Sequence, residues 1–464
     1  MRCVAGTLAT LISVVAVSAG GGVGPAAAVG PPPIDAHALV RYAPVGPPEA
    51  TEQRTLCANT SATGSTVGSN PSAAQSMLNL PEAWRFSRGG GQTVAVIDTG
   101  VTPHPRLPRL RGGGDYVSSG DGLVDCDAHG TLVAGIIAAA PSPDDAFAGV
   151  APDAALISIR QSSAAYGPAA SPITSDATSV GRGYGSVRTL AHAIVRAVDL
   201  GATVINISEA ACAPITSPID DGTLGAAIKF AYDRDVVVVV AAGNLSADTA
   251  CRQQNPDPGP ADPDGWTSVT TVASPARFAP YVLTVGAVDA DTATPSGFSL
   301  HGPWVGVAAP GTGIVGLDAR DGSARPVDAL EGADGPVPIA GTSFATPYVA
   351  GTVALVRARF PHLHAQEVIR RIIRTAHAPA AGHDTRIGHG VIDPVAALTD
   401  QITDAGADLT AARPISAPAT PPAEDRTARD VGLAGAGLSV ALVVAVLAIA
   451  MPHRRIRRLD PDDY

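Results

Sequence analysis

A serine hydroxyl attacks a carbonyl at neutral pH when an imidazole takes its proton and a carboxylate holds that imidazole in one tautomer. Four short, widely separated segments of this chain supply those parts. Ala95-Val96-Ile97-Asp98-Thr99-Gly100 ends an apolar run on an acid, and His129-Gly130-Thr131-Leu132-Val133-Ala134-Gly135 opens on an imidazole. Ala241-Ala242-Gly243-Asn244 offers a side-chain amide, and Gly341-Thr342-Ser343-Phe344-Ala345-Thr346-Pro347 offers an alcohol. In chain order they are an orienting acid, a base, an oxyanion donor and a nucleophile, the set needed for acyl transfer to water.

Each has a plainer explanation on its own. An Asp at a strand end and an Asn after Gly are ordinary turn residues, and a Ser before a helix is ordinarily an N-cap. The chain holds eleven histidines, and His104, His192, His301, His362 and His364 read as surface or packing residues. His129 differs by its small neighbours, which let its helix approach another backbone closely. Ser343 opens a helix, so its own N–H is unpaired and can serve with Asn244 as a second oxyanion donor. Pro347 lies beyond the first turn of that helix and is expected to kink it.

The elements that position these residues read as alternating strands and helices. Strands are expected at 93–98, 155–160, 203–208, 236–241, 281–288 and 305–308. Helices are expected at 129–140, 186–200, 223–233, 343–359 and 365–375. Such alternation builds βαβ units and a doubly wound, mostly parallel sheet with helices on both faces, an α/β fold. Asp98 then falls at the carboxyl end of a strand, where ligands of such sheets bind. Loops at 161–185, 245–275 and 317–337 are long, and loops of that length are often functional.

The 464-residue chain carries a net charge of −11, which argues against nucleic-acid binding. Arg2, an apolar run from Val4 to Val17 and the small residues Ala26-Ala27-Ala28 read as a signal peptide over 1–28. A Pro/Ala/Ser/Thr-rich arm follows over 29–76, then the α/β domain over 77–400 and a Pro/Ala-rich stalk over 401–430. Val431 to Met451 is uncharged and long enough to cross a bilayer. Arg454, Arg455, Arg457 and Arg458 follow it, which places the tail 452–464 in the cytoplasm and the α/β domain outside. Beyond Cys3, the cysteines are Cys57, Cys126, Cys212 and Cys251. An even set in an exported chain implies two disulfides, with three pairings open. No cysteine or histidine spacing suits a metal, and no cofactor motif is present.

The four segments resemble the subtilisin-like (S8) serine peptidases in their motifs and in the order Asp, His, Ser. Gly149-Val150-Ala151-Pro152, Val204-Ile205-Asn206-Ile207-Ser208 and Gly390-Val391-Ile392-Asp393-Pro394 extend the likeness over roughly residues 80–400. Within that family the chain resembles the mycosins, membrane-anchored peptidases of mycobacterial type VII (ESX) secretion. The carriers are the run from Asp125 through Cys126 and His129 to Ala138, Asn206–Cys212, the arm and the C-terminal anchor. The resemblance implies an endopeptidase acting on exported proteins, in contact with ESX membrane-complex proteins; the acidic calcium loop that many secreted subtilisins carry is not found in this sequence. It implies bonds Cys57–Cys126 and Cys212–Cys251, and an arm that wraps the domain and need not be cleaved. Ser208, Glu209 and Ala210 would lie beside the substrate backbone as an added strand, with Glu209 narrowing specificity where secreted subtilisins carry Leu-Gly. Mycosins are also needed for secretion independently of proteolysis, so a structural role in the secretion complex stands as the alternative. A secreted degradative subtilisin is a third reading, weakened by the anchor and by Glu209.

Overall fold

Apolar runs whose side chains alternate between two covered faces make the centre of the protein. The computed structural model describes residues 30–64, 67–170, 179–180, 183–217, 219–247, 250–320, 325–402 and 427–455. The expected signal peptide (1–28), residues 403–426 of the expected stalk and residues 456–464 of the expected tail lie outside them. Seven strands form one sheet: β1 Thr93–Asp98, β2 Leu110–Asp115, β3 Ala155–Arg160, β4 Val204–Ile207, β5 Val237–Ala241, β6 Leu283–Val288 and β7 Val305–Pro310. Their order is β7-β6-β5-β4-β1-β3-β2, and every pairing is parallel. The chain reverses direction across the sheet between β1 and β4, so a crevice opens past their carboxyl ends. β2, with sequence Leu-Arg-Gly-Gly-Gly-Asp, is an edge strand with no apolar pattern to announce it.

The helices cover both faces. α1 (His129–Ala138) and α4 (Thr342–Arg359) pack against each other on one face, over Val94, Val96, Val204, Val237 and Val285. α2 (Val187–Asp199) and α3 (Gly222–Tyr232) pack on the other, over Ala95, Ile97, Ile205, Ile207 and Val238. The alternation Val94/Ala95/Val96/Ile97 thus feeds two cores from one strand, as a two-sided parallel sheet requires. α2 opens on a Ser186–Thr189 capping box and closes at Gly201, whose φ is +81°. α5 (Ala365–Thr375) packs on α4.

The three long loops are less irregular than their composition suggests, because much of their backbone pairs elsewhere. Tyr166–Pro168 pairs with Thr51–Gln53 of the arm, and Ala329–Leu330 pairs with Thr60–Ser61 of the arm. Thr271–Ser274 pairs with Ala211–Pro214. The arm is also bonded by Cys57–Cys126, and Cys212–Cys251 closes a second bridge. A short helix, Ala73–Met77, already begins inside the span assigned to the arm.

The C-terminal unit is described separately. Its helix α6 (Thr427–Arg455) starts within the expected stalk and contains Gly432–Ile449, long and apolar enough to cross a membrane by length and composition.

Candidate active site

β1 ends on Asp98, which is completely buried. Its Oδ1 accepts hydrogen bonds from the Thr99 N–H at 2.8 Å and from the His129 ring, whose Nδ1 lies 2.7 Å away. The ring keeps 22 % of its side-chain surface open. With Nδ1 committed to the carboxylate, Nε2 is left as the acceptor. The approach that permits this contact depends on Gly130. A Cβ there would lie 2.0 Å from the Gly100 carbonyl oxygen, so a side chain would drive α1 away from the end of β1.

The amide and the alcohol meet at the start of α4. Asn244 Oδ1 accepts from the Thr342 N–H at 2.9 Å and from Thr342 Oγ1 at 3.0 Å. That fixes the amide plane and leaves Nδ2 for another partner. Gly341, at φ +151°, lets the chain turn into the helix; a Cβ there would lie 3.0 Å from Ser343 Oγ and 3.3 Å from Asn244 Nδ2. The amide donor and the hydroxyl therefore converge on one small space, and the Ser343 N–H stands in the unbonded first turn.

α4 continues through Pro347 rather than stopping there. Proline has no N–H for the carbonyl four residues back, and that carbonyl belongs to Ser343. Ser208 Oγ donates to it at 2.7 Å, while accepting from Asn206 Nδ2 at 2.9 Å. The hydroxyl of Ser208 is thus engaged with α4, beside the cleft that Ser208 also lines.

His129, Ser343, Asn244, Ser208, Glu209 and Ala210 line one cleft of about 450 Å³. Among the described residues Ser343 Oγ makes no hydrogen bond to the His129 ring; contacts of this kind tighten when substrate binds. No group of three or more His, Cys, Asp or Glu there could hold a metal.

Comparison with known proteins now decides the family. The subtilase family (Peptidase S8) model matches residues 89–390. Mycosin-1 of Mycobacterium tuberculosis (strain ATCC 25618 / H37Rv) is 48 % identical over 93 % of this chain and 96 % of its own. The crystal structure of MycP1 from the ESX-1 type VII secretion system superposes with a TM-score of 0.76 at 47 % identity, covering 81 % of this chain and 98 % of that one. A chain in the structure of an intact ESX-5 inner membrane complex gives a TM-score of 0.75 at 43 % identity, covering 92 % of this chain and 100 % of that one. The chain belongs to the subtilase family, within its mycosins. It is a serine protease.

The electrostatics of this mycosin's cleft are dominated by carboxylates. Burial alone would lower the His129 pKa. The charge and hydrogen bond of Asp98 outweigh it, with Glu209 and Asp125 adding to them, and the imidazole is raised to about 9. Burial, with the charge of Asp98, raises Glu209 to about 8 against its bond from Ser162 Oγ and the charge of His129. Asp127, also lining the cleft, is raised by burial and accepts from Ser163 Oγ and the Ala164 N–H. The motif reading passed over Asp127, Ser162 and the Thr99–Asp125 contact. In the sequence Asp125, Asp127 and Thr99 lie inside quoted runs with no role of their own, and Ser162 lies in a polar loop.

Proposed function

We propose that this mycosin is a membrane-anchored serine endopeptidase that processes exported proteins at a type VII (ESX) secretion complex. Ser343 is the nucleophile, His129 the base, Asp98 the orienting carboxylate, and Asn244 Nδ2 with the Ser343 N–H the oxyanion donors. Ser343 Oγ adds to the scissile carbonyl as its proton passes to His129 Nε2. The negative charge that develops on oxygen falls between the two donors, already in place, so no reorganisation is needed. Collapse of the adduct hands the His129 proton to the leaving amine and leaves an acyl-serine. Water, deprotonated by the same nitrogen, then releases the acid. Residues 208–210 accept the substrate backbone as an added strand.

The observation that carries this reading is the 2.7 Å bond between buried Asp98 and a ring facing the same cleft as Ser343. The four cysteines, disulfide-bonded in pairs, suit an oxidising compartment. Together with α6 and its arginine flank they support an extracytoplasmic catalytic domain behind a cleaved signal peptide, with the C-terminus in the cytoplasm. The likeness to a chain of an ESX-5 inner membrane complex supports ESX membrane proteins as partners.

That likeness, with an arm paired to both loops beside the cleft, also favours a second role as a structural stabiliser of the complex. Two strains separate the roles, Ser343→Ala and a full deletion, compared by mass spectrometry of culture filtrate. Loss of one truncated substrate form with secretion intact in Ser343→Ala supports both roles. Secretion lost equally in the two strains refutes the structural one, and an unchanged set of truncated forms refutes the processing one.

A further inference from the structure

Asp125 is absent from the four motif segments and from the walls of the cleft, yet its half-buried carboxylate accepts four hydrogen bonds. One oxygen takes Thr99 Oγ1 at 2.9 Å and the Asp127 N–H at 3.1 Å. The other takes the Thr131 N–H at 2.8 Å and Thr131 Oγ1 at 2.7 Å. Thr99 is the residue after Asp98, and Thr131 is two residues after His129. Both hydroxyls relay the connection. Thr99 Oγ1 accepts the Gly130 N–H at 2.9 Å, and Thr131 Oγ1 accepts the Thr102 N–H at 3.0 Å.

Helix α1 needs this help. The residue before it, Ala128, sits at φ +61° and has no side chain that can cap. The first N–H groups of a helix must find acceptors outside it. Gly130 finds Thr99, and Thr131 finds Asp125. A carboxylate at this end also matches the sign of the helix dipole. The segment is held from outside as well: Cys126 is bonded to Cys57, and its carbonyl accepts the Ala58 N–H at 2.8 Å.

We propose that Asp125 is a positioning residue, tying the end of β1 to the first turn of α1 and so holding Asp98 against His129. The inference rests on reading Asp98, His129 and Ser343 as the triad. Its removal lets two backbones that meet through Gly130 separate. A misplacement of about 1 Å at a reacting group costs on the order of 100-fold in rate. The charged groups around it are Asp127 and His129, with Asp98 bonded to the same Thr99 hydroxyl. Burial holds the Asp125 carboxyl at about 6, against its Thr131 bonds and with help from Asp127. In mild acid it therefore loses its acceptor role before an exposed carboxylate would.

The test compares Asp125→Ala, Asp125→Asn and the parent chain, full length in detergent. Active sites are counted with a serine-directed phosphonate, and peptide hydrolysis is expressed per counted site. The expected result for Asp125→Ala is a kcat lower by roughly 10- to 100-fold with KM within about twofold. Asp125→Asn, which keeps one oxygen for Thr131, should recover most of that loss. The His129 ring, followed by NMR titration, should fall from about 9 toward the ordinary imidazole range in Asp125→Ala. A wild-type kcat per site overturns the inference, including in a variant that merely melts earlier. If Asp125→Ala does not fold, Thr131→Val carries the same kcat-without-KM expectation. If the parent chain neither cleaves peptide nor takes the phosphonate, the triad reading fails instead, and an unmoved His129 titration then overturns the positioning role by itself.

Discussion

Replacing Asp98 with Asn tests how much of the base's strength comes from one carboxylate. In this protein His129 rises from 6.5 to about 9 although burial opposes it. Each tenfold of that rise is about 1.4 kcal/mol favouring the imidazolium. The same imidazolium forms when Ser343 attacks, so that stabilisation is available to the transition state. Asp98 is the largest of the groups that raise it. The isosteric amide should therefore cost on the order of 100-fold in kcat/KM at a pH where both enzymes hold a neutral ring. The hydrogen-bond pattern keeps the loss near that figure. Oδ1 accepts both the Thr99 N–H and the His129 Nδ1, while Oδ2 is buried without a partner. An Asn can keep its oxygen at Oδ1 and leave the ring tautomer unchanged, so the loss is one of charge. The second signature is the acid limb of the pH profile. A base raised to about 9 makes parental kcat/KM climb with pH through the neutral range, about tenfold per unit. In Asp98→Asn, burial is opposed only by the weaker charges of Glu209 and Asp125, and the limb should move to lower pH. Peptide hydrolysis between pH 5 and 10 reads both quantities. A variant that loses less than tenfold, or whose limb stays where the parent's lies, refutes the reasoning.

Three further changes follow from the same geometry. Gly341→Ala places a methyl 3.0 Å from Ser343 Oγ and 3.3 Å from Asn244 Nδ2 at a φ that disfavours it; hydrolysis should fall by at least 100-fold on the scale of a lost oxyanion donor, with reaction toward a small phosphonate slowed in parallel. Ser208→Ala strips the Ser343 carbonyl of its donor; the melting free energy should drop by about 1–3 kcal/mol, measured by denaturant titration, with kcat lowered as the nucleophile's helix loosens. Removing the arm through residue 64 unpairs Tyr166–Pro168 and Ala329–Leu330; limited proteolysis should then cut within 161–185 and 317–337, and equal resistance in both proteins would show that the arm does not hold those loops.

The parts of the site that were legible in the sequence are those whose chemistry forces small neighbours upon them. His129 needs Gly130 because α1 meets the Gly100 carbonyl, and Ser343 needs Gly341 because a side chain would fill the space it shares with Asn244. The buried strands were legible because Val and Ile must fill both faces. β2 was not, because an edge strand lined by close neighbours can be Leu-Arg-Gly-Gly-Gly-Asp. At Pro347 local chemistry shows only a missing N–H, and Ser208, distant in sequence, donates to the carbonyl left over. Tyr166–Pro168 and Ala329–Leu330 failed to register because their partners are in the arm. Asp125, Asp127 and Ser162 look like loop residues until the fold buries them together. Pairing between distant segments, which no window of sequence contains, accounts for the arm-paired strands and for these loop acids.

The acidic surroundings of His129 have a consequence for how fast this protease can work where it sits. A base with a pKa of about 9 is only about 1 % neutral at pH 7. Asp98 strengthens the base and Asp125 holds it in place, yet together with Glu209 they keep it protonated for most of the time. Relief can come from the substrate. A strand laid beside Ser208–Ala210 excludes water from a cleft whose carboxyls are already costly to ionise, and desolvation acts on an imidazolium in the lowering direction. The acid limb of kcat, which reports the bound complex, should therefore lie at lower pH than that of kcat/KM, which reports the free enzyme. A good substrate would thereby switch on a base that is mostly silent otherwise. Coincident limbs for the two parameters, measured on one peptide, would show that binding does not free the base.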